Sequence, residues 1–331
     1  MKKKQIYYSI LKAGRKLYSI LIKEKSRPFL DRGYKDPDDV NSIISKLLLS
    51  DGPCMVARYG AFELNTIVNY LDIKKPRHSI IKYIQNKEGQ WWWNESLLSH
   101  LRDNAGFFPL SYENVERFCA LMLDSSRDVD FLGSWQRNEE RLIPYLGSFE
   151  KGWMQLIEPY WSNHPWSSHL KGKRVLVLHP FAELMKLQYE QKRTCLFKNP
   201  EVLPPFEFIP LIAVQSIGGE NAGFKDWFEA LEDMKHKMDA IEYDVALIGC
   251  GAYGFPLASH AKKTGHKAIH LAGALQLLFG IRGKRWDNPM YGAKYLFTPG
   301  TYQTLFNEHW IYPGENLKPK TAMNVEGGCY W

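Results

Sequence analysis

The sequence predicts an α/β protein with a Rossmann-like, doubly wound, mainly parallel sheet carrying helices on both faces. Three observations predict it. Short apolar runs, among them Val245–Ile248, are long enough for buried parallel strands and too short for helices. They alternate with amphipathic stretches such as residues 226–241, where Trp227, Phe228, Leu231, Met234 and Met238 recur at helical spacing. Several runs end in turn residues that open the next helix, which is the pattern of successive βαβ units.

The first element is N-terminal. Lys2, Lys3, Lys4, Lys12, Arg15, Lys16, Lys23, Lys25 and Arg27 are interleaved with Ile6, Tyr7, Ile10, Leu11, Leu17, Ile20 and Leu21. Residues 1–35 therefore read as a basic amphipathic helix. It is able to lie peripherally on the inner face of a membrane, to meet a partner, or simply to pack on the domain. No apolar run reaches the roughly 20 residues of a spanning helix. The segment also lacks the apolar core and small-residue cleavage site of a signal peptide.

Residues 36–331 read as one α/β domain, with 161–172 as the best place for a sub-boundary. Residues 36–49 read as a helix capped by Asp38 or Asn41, with Ile43, Ile44, Leu47 and Leu48 on one face. Residues 54–59 read as a strand that Gly60 turns into a helix over 62–71. Arg58 then sits at a strand end and Glu63 in a helix first turn, at the edge where open α/β sheets keep their ligands. A first-turn carboxylate also simply suits the helix dipole.

The middle is less regular. Trp91, Trp92 and Trp93 cannot share one strand face, so they line a cleft or lid or cap the core from a loop. A helix over 114–124 and a strand and turn over 128–135 lead into the charged run 136–141. That run is either a solvated face or a source of Arg137 or Glu139 for a site. The second half is clear: strands over 174–178, 206–214, 245–248 and 267–271 alternate with helices over 182–197, 226–241 and 257–263. His179 and His270 fall at strand ends.

Composition narrows the function classes. The chain has 331 residues, 45% hydrophobic and 24% charged, which is an ordinary globular balance with room for a large core. Aromatics reach 14%, which suits a ligand with planar or polyhydroxylated parts and suits an aromatic core equally well. The net charge of +7 is partly local to the N-terminus and forms no broad basic stripe, so nucleic acid is disfavoured. Five scattered cysteines without metal-pair spacing read as reduced, mostly buried thiols of a cytoplasmic protein.

The chemistry-bearing segment is Gly249-Cys-Gly-Ala-Tyr-Gly254, which matches the G-x-G-x-x-G dinucleotide pattern. The acidic residue expected about 20 positions on, at the end of the next strand, is absent. His270 stands there instead. A redox cofactor is therefore disfavoured, while Gly249, Gly251, Tyr253 and Gly254 remain candidates for phosphate or nucleotide binding at a helix start. Downstream, Arg282, Lys284 and Arg285 lie on a glycine-flanked turn and offer charge to a diphosphate.

The segment Arg58-Tyr59-Gly60-Ala61-Phe62-Glu63-Leu64 resembles the R-[FY]-G-D-G-E block of GT-D-type glycosyltransferases of bacterial surface-polysaccharide and glycoprotein biosynthesis. The late block is similar too, at Leu247, Ile248, Gly251, Leu257, Ala258, Gly265, Ala268, Ile269 and Gly273. The resemblance covers about half the chain. It implies a transferase that moves a sugar from a nucleotide-sugar donor to a glycan or lipid-linked acceptor. It also implies a D-x-E pair that holds a divalent cation, Mn or Mg, but Ala61 replaces the Asp and only Glu63 remains. One carboxylate holds a divalent ion on a diphosphate far less well than two, so no metal ligand is assigned. In that reading Arg58, Gly60, Arg282 and Arg285 face the donor phosphates, and Glu63, His179 and His270 are the candidates for proton transfer or sugar contact. Two alternatives remain open: a non-catalytic sugar-nucleotide-binding or scaffold protein of the same pathway, and another Rossmann-type enzyme, a methyltransferase or dehydrogenase.

Overall fold

The computed structural model describes residues 2–22, 31–293, 296–324 and 327–331. Lys23, Lys25 and Arg27 of the basic cluster, and Glu326 near the C-terminal end, lie outside the described residues. Among the described residues seven strands form one sheet: β1 Cys54–Ala57, β2 Phe131–Ser134, β3 Glu150–Trp153, β4 Arg174–His179, β5 Glu207–Ile212, β6 Val245–Ile248 and β7 Lys267–His270. Their order is β3-β2-β1-β7-β6-β4-β5, and every pairing is parallel. The chain passes from β4 to β5 on one side and returns to β6 on the other. A change of direction thus falls between β4 and β6, which opens a crevice at their carboxyl ends.

The strands are apolar on both faces because both faces are covered. Successive residues point to opposite sides. Met55, Ala57, Leu176, Leu178, Ala246 and Ile248 enter one core, while Cys54, Val56, Val175, Val177, Val245 and Leu247 enter the other. The helices are α1 Lys2–Leu21, α2 Pro37–Leu49, α3 Ala61–Ile73, α4 Ile80–Ile84, α5 Glu95–Asp103, α6 Tyr112–Ser125, α7 Ala182–Leu196, α8 Trp227–Asp239, α9 Gly254–Lys263, α10 Leu275–Leu278 and α11 Lys284–Asp287. Helices α3, α5, α6, α8 and α9 cover the first core. Helices α2 and α7 and the C-terminal aromatics Trp286, Tyr302, Trp310 and Trp331 cover the second. This is the doubly wound arrangement expected from the sequence. All five cysteines are free, and four of them are buried.

Three local readings change. Neither Asp38 nor Asn41 caps α2. Pro37 sets the helix start one residue in, so Asp36 is the cap, its Oδ1 accepting the Asp38 and Asp39 amides at 2.8 and 3.1 Å. Asn41 is fully buried, donates to the Leu156 carbonyl and accepts the Trp166 amide, which ties α2 to the loop after β3. Glu139 caps the turn after β2, accepting the amides of Trp135 and Gln136 at 3.0 and 2.9 Å and the Ser134 hydroxyl. Among the tryptophans, Trp92 is buried with Leu11 and Tyr83 in a small separate cluster, and the run sits in a loop.

Candidate functional site

A cavity of about 290 Å³ lies at the carboxyl end of the sheet, near the lower bound of roughly 300 Å³ for small-molecule sites. Every strand contributes to it through its last residue or the segment just after it. Arg58 follows β1, Trp135 follows β2, Met154 follows β3, His179 ends β4, Val214 follows β5, Gly249 follows β6 and His270 ends β7. The two sequence blocks, far apart in the chain, therefore both line this cavity.

Arg58 makes no ion pair among the described residues. Its Nη1 lies 2.7 Å from the Met154 sulfur, its guanidinium carbon lies 5.8 Å from the centre of the Trp135 ring, and its Nε is buried without a hydrogen-bond partner. A thioether is a weak acceptor, so most of the cation's hydrogen-bonding capacity is unspent. Glu63 is the cavity's one acidic side chain among the described residues. It is 8% exposed, and its carboxyl group lies where a side chain on Gly60 would project, so a larger residue at 60 would displace the Glu63 carboxyl from this position. Burial raises its pKa, while the Glu63 and Phe62 amides at the start of α3 and the Arg58 charge pull it down.

The two histidines stay neutral. His179 is held to a pKa of about 3 by burial. Its Nδ1 accepts the Phe181 amide at 2.9 Å, so the ring proton sits on Nε2 and the ring is a fixed donor. His270 is also held to about 3, by burial first and by the Arg58 charge second. The Arg58 backbone works in the other direction, yet neither ring nitrogen reaches a hydrogen-bond partner. Gly254 starts α9 behind this ring, where a Cβ would fall 2.3 Å from His270 Nε2.

Gly249 and Gly251 line the cavity, Gly251 in the left-handed region at φ 56°. Ala272, whose carbonyl packs against Gly249, adopts φ 51° without being glycine, a strained backbone of the kind that collects at binding sites. The Tyr253 ring also lines the cavity, but its hydroxyl is committed to Ser216 Oγ at 2.8 Å, and Ser216 donates to the Gly106 carbonyl.

The two arginines of the 280–286 turn part company. Arg285 reaches the cavity, donating to the Tyr330 hydroxyl at 2.9 Å with its guanidinium 4.5 Å from the Tyr330 ring centre. Arg282 does not. It pairs with Asp287 at 2.7 Å and lies against the rings of Phe306 and Tyr312. The segment Cys329-Tyr330-Trp331 folds back over the cleft, where Tyr330 and Trp331 form part of its wall.

The residues present do not suit a divalent cation. Glu63 is a single carboxylate turned toward its own helix start, and no three His, Cys, Asp or Glu side chains converge among the described residues. Comparison with family models, with curated proteins and with solved structures finds no match to this chain.

Several residues of the wall were not singled out from sequence. Trp135, whose indole donates to the Tyr59 carbonyl at 2.9 Å, had a usable signal in its place just past a strand. Tyr291 and Gln276 had none. Glu158 lies buried nearby, accepting Trp161 Nε1 at 2.7 Å and the Tyr302 hydroxyl at 2.9 Å, and burial lifts its pKa to about 7.

Proposed function

We propose that this chain is a glycosyltransferase that takes a sugar from a nucleoside-diphosphate donor and passes it to a glycan or lipid-linked acceptor. The observation that carries the reading is a cavity cation, Arg58, that makes no ion pair among the described residues. Arg58 stands at the end of a central strand, next to the amide-rich start of α3, in a cavity that the left-handed Gly251 turn also lines. An anionic ligand fits that corner, and departure of a nucleoside diphosphate needs positive charge where the leaving oxygen develops its own. Trp135, Phe181, Tyr291 and Tyr330 supply ring faces for a base and a sugar. His179 supplies a neutral N–H for a hydroxyl or phosphate oxygen. Glu63 is the carboxylate placed to accept a proton from an acceptor hydroxyl, and the neutral His270 ring, with its low pKa, is a far weaker base.

A second reading has its own support. With one carboxylate, itself turned toward the α3 amides, the cavity also suits a protein that binds sugar nucleotides without transferring the sugar.

Thermal-shift titration tests both readings against the redox and methyl-transfer alternatives, and an assay of donor hydrolysis or sugar transfer over a panel of acceptors separates the two. UDP-, GDP-, CMP- and dTDP-sugars are run beside nicotinamide dinucleotides and S-adenosylmethionine. A matching sugar nucleotide at a hundred times its Kd adds about 2.7 kcal/mol of stability. Stabilisation by a redox cofactor or methyl donor alone would rule out both readings. Arg58→Ala is expected to weaken sugar-nucleotide binding at least about tenfold by calorimetry, since hydrogen bonds to charged groups are worth about 1.5–3 kcal/mol. A melting curve of the unliganded variant beside wild type shows how far the fold itself depends on Arg58, whose charge also faces the buried Glu63 carboxyl.

A further inference from the structure

We propose that α1 is a docking helix that seats the protein on an anionic lipid surface. The helix has two unlike faces. On one, Leu11 is buried, Tyr8 stacks on Trp92 with ring centres 4.2 Å apart, and Arg15 bonds Asn86 and lies over Tyr83. These contacts hold α1 against α4 and the tryptophan loop. On the other face, Ile6, Ile10, Leu17, Ile20 and Leu21 fall within one arc of about 100°, given 3.6 residues per turn. They are 61%, 64%, 58%, 66% and 73% exposed.

That exposure is concentrated rather than scattered. Of the eighteen large hydrophobic side chains exposed among the described residues, seven lie between Ile6 and Ile22. The packing helix α4 itself exposes Ile80 and Ile81, with Lys82 beside them. Single exposed apolar residues are normal on soluble surfaces, whereas a continuous stripe marks a contact.

Charge selects the occupant. Lys12 and Lys16 are exposed on the flank of the stripe, and the twenty residues of α1 contain Lys2, Lys3, Lys4, Lys12, Arg15 and Lys16 with no acidic residue. A second copy packed through the same stripe would bring like charges together. An anionic headgroup layer takes both features at once, the stripe sinking to the acyl boundary and the lysines staying among the phosphates. No helix among the described residues is long and apolar enough to cross a membrane. The helix therefore lies in the interface plane. The inference is independent of the chemistry in the cavity.

The test is flotation of the full chain with vesicles of phosphatidylcholine alone or mixed equally with phosphatidylglycerol, at low and at high salt. The protein should float with the anionic vesicles and be largely released by salt. Lys12→Gln with Lys16→Gln should weaken that partition about thirtyfold, at roughly fivefold per lysine. Ile10→Ser with Leu17→Ser should weaken it about tenfold or more. Both pairs are solvent-exposed, so melting curves should match wild type, and the lysine pair still decides the matter if the apolar pair unfolds the helix. Equal binding to neutral vesicles, or flotation unchanged in the folded variants, overturns the proposal. So does a dimer in light scattering that Leu17→Ser splits while wild type fails to float.

Discussion

Glu63→Gln is expected to lower sugar transfer by about 10²–10⁴-fold, the range lost with a general acid–base group, while sugar-nucleotide binding and the fold persist. Glutamine keeps the shape and part of the hydrogen bonding but cannot take a proton. Burial raises the pKa of this carboxyl above the ordinary range, which makes it a stronger base once ionised. The rate should accordingly rise with pH through that raised value in wild type and lose this limb in the variant. The competing role is structural, since the carboxyl sits at the start of α3 beside the Phe62 and Glu63 amides. If Glu63 served only there, the variant would retain transfer and lose at most about 1 kcal/mol of stability. Turnover measured alongside urea denaturation separates the two roles, and full activity would remove Glu63 from the chemistry.

How much of this was legible in the residues depends on how local the determining physics is. The unit from β6 to β7 was readable because a buried parallel strand must be apolar throughout and its turn must admit glycine. Strand β3, Glu-Lys-Gly-Trp, was not. It is a short edge strand whose first residue is exposed and whose second is half-buried, so it leaves no apolar run. Arg58 and Glu63 could be placed because each lies within a residue or two of an element boundary. Arg282 and Arg285 look alike in sequence, and only the tertiary arrangement sends one to Asp287 and the other to Tyr330. Likewise a histidine at a strand end looks titratable until its burial is known.

Lowering the pH from 7 to 4 is expected to cost wild type about 3 kcal/mol more stability than it costs His270→Leu, at roughly 1.4 kcal/mol per pH unit below the unfolded pKa. The His270 pKa is about 3 in the folded chain against an ordinary 6.5. The folded state thus binds the proton less readily than the unfolded one. That contribution is present in full above pH 6.5 and is lost progressively as the pH falls toward 3. His179 adds a slope of the same sign. Glu158 has the opposite sign: with its pKa lifted from 4.5 to about 7, its contribution is present below pH 4.5 and is lost as the pH rises through 7. Glu158→Gln should therefore gain about 3 kcal/mol relative to wild type across that interval. Between pH 4.5 and 6.5 the Glu158 slope offsets one of the two histidine slopes, so wild type alone understates both effects. The difference curves, from urea titrations at each pH, are the readout, and parallel curves for wild type and His270→Leu would show that this ring titrates normally.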